Sequence, residues 1–151
     1  MFRGASKVTL DTKGRMAIPS RYRERLFARC KGELIAAVDR AKCLVIYPLP
    51  DWEAFEAKIM SLPYFDPEVR ILQEVVVGQS GEMTMDTHGR ILIPRILRDF
   101  AKLKRNAMLL GQGKRFELWD EERWIRRRDE WLAMGEGDGG DLPAELRSLT
   151  L

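Results

Sequence analysis

Histidine occurs once in this chain and cysteine twice, against 26 Lys/Arg and 23 Asp/Glu. Cys30 and Cys43 have neither the close spacing nor the histidine company of a zinc site, so no metal is expected. Both fall in apolar stretches and read as small core residues. No apolar run is long enough to span a bilayer, and no basic-then-apolar leader is recognisable. The expectation is a cytoplasmic protein with no membrane partner. Paired acid and base, a nucleophile set in a partner motif and a phosphate loop are all missing, so neither enzymatic activity nor a cofactor is expected. Gly111-Gln112-Gly113 lacks the rest of any nucleotide fingerprint and reads as a hairpin turn.

What the chain has is repetition. VTLDTKGRMAIP at residues 8–19 returns as MTMDTHGRILIP at residues 83–94. Asp11 and Asp86, Gly14 and Gly89, and Arg15 and Arg90 are each 75 residues apart. A spacing kept over so many positions marks an internal duplication. Each half is near the lower limit for a self-sufficient core, which favours halves that need each other or neighbouring chains.

Charge is unevenly spread. Residues 1–31 hold nine Lys/Arg against Asp11 and Glu24, a net +7, whereas residues 79–105 reach only +3. Residues 129–151 hold six acids against Arg147. A solvated helix face accounts for part of Arg21 to Arg29, but not for the charges around the first turn.

Alternation at Val8 and Leu10, and the short run Met16 to Ile18, predict two strands around a tight reversal at Asp11 to Arg15. Gly14 supplies positive φ there, and Asp11 can accept from nearby amides and meet Arg15. Copy two repeats this with Asp86, Gly89 and Arg90. Pro19 and Pro94 are expected as first helical residues, with Tyr22, Leu26 and Cys30, together with Phe27, on one apolar face of the first helix and Ile96, Leu97, Phe100 and Ala101 on that of the second. Hairpins are expected over residues 34–47 and 108–119, the second turning at residues 111–113. Each leads into a helix with an acidic cap candidate, Asp51 or Asp120, and an apolar stripe, Trp52, Phe55 and Ile59 on the first and Trp124 and Trp131 on the second, expected to pack against the sheet and not to hold a cofactor. The expected division is 1–60 for the first unit, 61–78 for a packed helical connector opened by Asp66-Pro67, 79–134 for the second unit, and 135–151 for an acidic Gly-rich tail. A short helix after Pro143 would leave Leu142, Leu146 and Leu149 to dock on a neighbour.

The order strand, D-x-K-G-R turn, short strand, I-P and helix resembles the SpoVT-AbrB half-unit. Two such units, opened by MFRG and carrying CLVIYP-x-x-x-W and FELWD-x-x-x-W after the hairpins, resemble the MraZ family of transcriptional regulators. The resemblance covers nearly the whole chain and is weakest over 135–151. It implies an α+β fold of tandem pseudo-symmetric β-α-β-β units, joined as a swapped-hairpin, double-psi-like barrel with flanking helices. It also implies ring assembly, control of the division and cell-wall gene cluster including the protein's own promoter, and DNA contact by the motif arginines, here Arg15 and Arg90.

The residues support that function independently. A two-stranded ribbon can enter the major groove, where arginine commonly reads guanine. Arg3, Lys7, Lys13 and Arg15 surround the first turn, with Asp11 and Gly14 orienting it, as Asp86 and Gly89 orient Arg90. His88 replaces Lys13 in copy two, so the first copy is expected to carry most of the binding and the second to support assembly. The competing account of Arg15 and Arg90 is structural, an arginine pinned to its aspartate to hold the turn; both roles can coexist. The expected partners are double-stranded promoter DNA, bound at tandem short repeats near the nucleoid, and further copies of the chain. Repression by promoter coverage is the expected outcome, with an antitoxin-like interaction module as the alternative.

Overall fold

The computed structural model describes residues 1–135, 143–147 and 149. Copy one contributes β1 (Phe2–Thr9), β2 (Arg15–Ala17), α1 (Ser20–Cys30), β3 (Glu33–Val38) and β4 (Leu44–Pro48). After α2 (Leu49–Met60), the connector is α3 (Pro67–Leu72), continued by a π-helical segment, Gln73–Val77. Asp66 caps α3 by accepting the Glu68 N–H at 2.9 Å, as its position before Pro67 implies. Copy two follows with β5 (Gly81–Thr84), β6 (Arg90–Leu92), α4 (Arg95–Phe100), β7 (Asn106–Gly113) and β8 (Arg115–Asp120).

The leading strand of each copy pairs with the other copy. β1 lies antiparallel on β7, from Phe2 opposite Gly113 to Thr9 opposite Asn106. β5 lies on β3, with Glu33 opposite Thr84. The hairpins β3–β4 and β7–β8 are joined through β4 and β8, giving the sheet order β1-β7-β8-β4-β3-β5. β2 and β6 pair only with each other, as a separate antiparallel ribbon. The result is a mixed α+β fold with an antiparallel sheet and exchanged strands. These ladders leave β1 and β5 as sheet edges, and among the described residues they trace no closed barrel.

Period-two side-chain alternation explains why β3 from Leu34 onward and all of β4 are apolar. Leu34, Ala36 and Val38 enter the main core with Leu26, Ile46 and Phe116, while Ile35, Ala37, Val45 and Tyr47 face a second cluster built on Trp52 of α2. Trp52 is 2% exposed and contacts Tyr47 and Phe55 edge-on or tilted at 5.7 Å between ring centroids. The connector positions Val69, Leu72 and Val76 are half-buried.

Four local expectations are corrected. Pro19 and Pro94 precede the first helical residue, in extended backbone (ψ 137° and 141°), and are not the first residues of their helices. Asp51 does not cap α2, which begins earlier at Leu49; it sits in the first turn and grips Arg29 of α1 through two 2.9 Å bonds. The second hairpin reverses after Gly113, because β7 keeps pairing through that residue. Ile96 is 61% exposed: α4 is only six residues long, and Leu97 is its buried residue.

Met1–Glu121 is one compact unit and Glu122–Leu151 another. The second carries most of α5 (Glu121–Met134), on which Leu132, Met134 and, against the expected inward stripe, Trp131 are exposed, and α6 (Ala144–Arg147), in which Leu146 is exposed, as is Leu149 after it. The Gly-rich run and Leu142 lie outside the described residues.

Candidate nucleic-acid interface

Each aspartate of the repeated motif organises its turn. Asp11 Oδ1 accepts the N–H groups of Lys13 and Arg15 at 2.9 Å, and its Oδ2 accepts Arg15 Nε at 2.9 Å. Asp86 does the same with His88, Arg90 and Arg90 Nε at 2.9, 2.9 and 3.0 Å. Gly14 and Gly89 complete the reversals with φ of +90° and +78°, each donating its N–H to the aspartate carbonyl at 3.0 Å. The Arg15 backbone N–H, foremost among these donors, holds the Asp11 carboxyl down at about 2. The Arg90 N–H likewise lowers Asp86. Anchoring through Nε orients each arginine and leaves its Nη groups without a partner among the described residues. Arg15 and Arg90 side chains are 48% and 51% exposed, so the fixed guanidinium edges face water. Pinning and availability therefore coexist.

The β2–β6 ribbon brings both turns onto one surface. Met16 and Ile91 point into the core, and by alternation Arg15, Ala17, Arg90 and Leu92 point out. Arg15 stands directly opposite Leu92, and Ala17 opposite Arg90. The two arginines are thus diagonal neighbours, roughly 7–8 Å apart at the backbone by ladder geometry. The Ile18 N–H donates to Gly89 O at 2.8 Å and the Ile93 N–H to Gly14 O at 2.9 Å, tying each strand end to the opposite turn.

Two further arginines belong to this arrangement, and the motif reading missed them. Arg23 Nε donates to Ile18 O at 2.8 Å, and its guanidinium lies against Gly89 of the other copy. Arg98 Nε donates to Ile93 O at 3.0 Å and covers Gly14. Both glycines are buried beneath these side chains. The signal available in the sequence was the shared spacing from Pro19 to Arg23 and from Pro94 to Arg98.

The other expected cations are less united. Lys13 is exposed in the first turn and His88 occupies its place in the second. Lys7 pairs with Glu121 at 3.3 Å while remaining 63% exposed, and it lines a groove with Ala17, Ile18 and Arg23 beside the ribbon. Arg3 is exposed at the far end of β1, about 20 Å from Thr9 by strand rise, and is not brought to the turns. Much of the remaining basic pole is structural. Arg21 donates to Ser6 Oγ and stacks on Tyr22, Arg25 donates to Met1 O, and Arg29 grips Asp51. Cys30 and Cys43 are buried free thiols, and desolvation pushes Cys43 up to about 12. Among the described residues there is no metal-ligating cluster, and no helix is long and apolar enough to cross a membrane.

Both D-x-x-G-R turns, and the strands of the ribbon that carries them, fall within the residues matched by a single family. The family model described as "MraZ protein, putative antitoxin-like" covers residues 1–75 and 77–134. The chain belongs to the MraZ family. It is 50% identical to the transcriptional regulator MraZ of Thioalkalivibrio sulfidiphilus across the full length of both chains. Its likeness to the regulators of that name from Halorhodospira halophila (46%) and Pseudomonas aeruginosa (49%) also spans both chains completely. No enzyme activity is named for these relatives.

Proposed function

We propose that the protein is a sequence-specific DNA-binding transcriptional regulator that represses the division and cell-wall gene cluster, its own promoter included, from the nucleoid. The observation that carries this is the outward, diagonal placement of Arg15 and Arg90 on one two-stranded ribbon, each guanidinium pre-oriented by an aspartate. Such a ribbon fits the major groove, where a bidentate arginine–guanine pair discriminates by about 1–3 kcal/mol. Lys13 and Lys7 add phosphate contacts on the first copy, which therefore carries most of the binding.

Self-association supplies the remaining affinity. Leu62, Tyr64, Phe65 and Ile71, in and around the connector, are 42–81% exposed, an apolar surface suited to another copy. A ring built through it sets several ribbons against tandem short boxes, and linked sites gain through effective concentration. Within each copy of the chain, the β2–β6 ribbon lies between the sheet's two edge strands as the element that would complete a swapped-hairpin barrel.

The test is a titration of wild type and Arg15→Ala against the duplex upstream of the gene, at two salt concentrations. Arg15→Ala is expected to bind tenfold or more weakly. Equal affinities would remove Arg15 from the interface, and a flat salt response would remove the phosphate contacts. Scrambling the spacing between boxes is expected to weaken binding; unchanged affinity would refute the multivalent scheme. The antitoxin-like alternative predicts a stable complex with a protein partner and no salt-dependent duplex binding.

A further inference from the structure

The two copies agree inside the fold and differ on the outer face of the ribbon. Met16 and Ile91 are 2% and 1% exposed, and Ile18 and Ile93 are both 0% exposed. At outward positions 75 residues apart, Lys13 answers to His88 in the turns and Ala17 to Leu92 on the ribbon, while on the helices that follow Ser20 answers to Arg95 and Arg21 to Ile96. Both copies keep an outward arginine on the ribbon, but copy one sets a small side chain where copy two sets a large apolar one. Leu92 is 54% exposed and Ile96 61%. An exposed leucine is ordinary by itself. Leu92, however, is held outward by the buried Ile91 and Ile93 on either side of it, and it stands directly opposite Arg15 in the ladder.

The apolar group that double-stranded DNA offers in its major groove is the 5-methyl of thymine. Directly opposed residues have Cβ atoms about 4.5–5.5 Å apart, and successive bases along a strand are about 3.4 Å apart. A side chain opposite Arg15 therefore reaches a base one step from the guanine that Arg15 would read. The flanking positive charge of Arg15, Arg90 and Lys13 suits nucleic acid and opposes burial of this patch against another cationic ribbon.

Resting on the DNA-binding reading above, we propose that Leu92 reads a thymine methyl adjacent to that guanine and gives each box a direction. A perfectly twofold ribbon would read an inverted repeat. Leucine on one side and alanine on the other break that symmetry, so each ribbon prefers a directional, non-palindromic box.

The experiment compares the upstream duplex with the same duplex carrying uracil for thymine, which keeps the pairing and the O4 acceptor and loses only the methyl. Wild type is expected to bind the uracil duplex about fourfold more weakly per box engaged, the effect of one buried methyl. Single-site replacement is expected to place that loss at one thymine in each box. Leu92→Ala, a change at an exposed position, is expected to bind both duplexes equally, at the uracil level. Wild type indifferent to uracil would overturn the proposal, as would Leu92→Ala that keeps full sensitivity. A change in oligomer mass on Leu92→Ala with uracil sensitivity unchanged would also overturn it, by assigning Leu92 to contacts between copies. Failure of wild type to bind either duplex would instead overturn the underlying DNA-binding reading.

Discussion

Gly89→Ala separates two reasons for the motif glycine. At φ +78° any residue with a Cβ is strained, by about 1–2 kcal/mol. A Cβ at Gly89 would also stand 2.8 Å from Arg23 Cζ, too close to coexist with the guanidinium as placed. That group ends a flexible side chain and can swing away, so the further cost is the lost bond from Arg23 Nε to Ile18 O, about 0.5–1.5 kcal/mol. The total comes to about 2–3 kcal/mol. Gly113 provides the control: its φ is +73°, but nothing lies within 4 Å of an added Cβ, so Gly113→Ala carries the strain alone. Urea denaturation of both variants at equal protein concentration is expected to show a gap of about 1 kcal/mol. In an Arg23→Ala background Gly89→Ala is expected to cost correspondingly less, a coupling of similar size. Equal costs at Gly89 and Gly113, or strict additivity with Arg23→Ala, would refute the cross-copy arginine contact.

Two more predictions follow from the same geometry. Because the folded Asp11 carboxyl titrates at about 2, below its ordinary 3.8, its contribution to turn order is complete above about pH 4 and is lost as pH falls through 2. The Lys13 and Arg15 amide resonances are expected to titrate with that low midpoint, and a midpoint near 3.8 would refute the hydrogen-bond network. Residues 1–75 alone lack β6, β7 and β8, leaving β1 without its partner strand and β4 as an unpaired edge. That fragment is expected to be unfolded or dimeric by sedimentation; a folded monomer would disprove the interdependence of the halves.

Short-range chemistry made the turns readable from sequence. Asp11, Gly14 and Arg15 act within five residues, so their spacing alone specified the reversal and the ion pair that the structure contains. The doubly buried β3 and β4 were legible as apolar runs, and the stripe of Trp52, Phe55 and Ile59 marked α2 as the cover over their second face. What escaped depended on distant partners. Nothing near Arg23 signals Gly89, because strand exchange creates that contact from another part of the chain. Asp51 looks like a helix cap until Arg29 of another helix claims both its oxygens. Ile96 fitted an inward helical stripe by periodicity, yet α4 is too short to bury that turn. The positive total of residues 1–31 overstated the binding surface, since Arg21, Arg25 and Arg29 serve hydrogen bonds within the fold.

Strand exchange explains why the copies diverged where they did. β1 must fit β7, and β5 must fit β3, so a change inside one copy is felt in the packing of the other. Interiors packed at crystal-like density tolerate little such change. Met16, Ile18, Ile91 and Ile93 accordingly remain large and apolar in both halves. The outward face of the ribbon carries less of this obligation, because Ala17 and Leu92 are exposed. A duplicated chain under these rules keeps two identical devices for orienting arginine while its outer positions are free to differ. The differences at 13 and 88 and at 17 and 92 therefore bear on what the ribbon meets outside the molecule. They have little to do with how it folds.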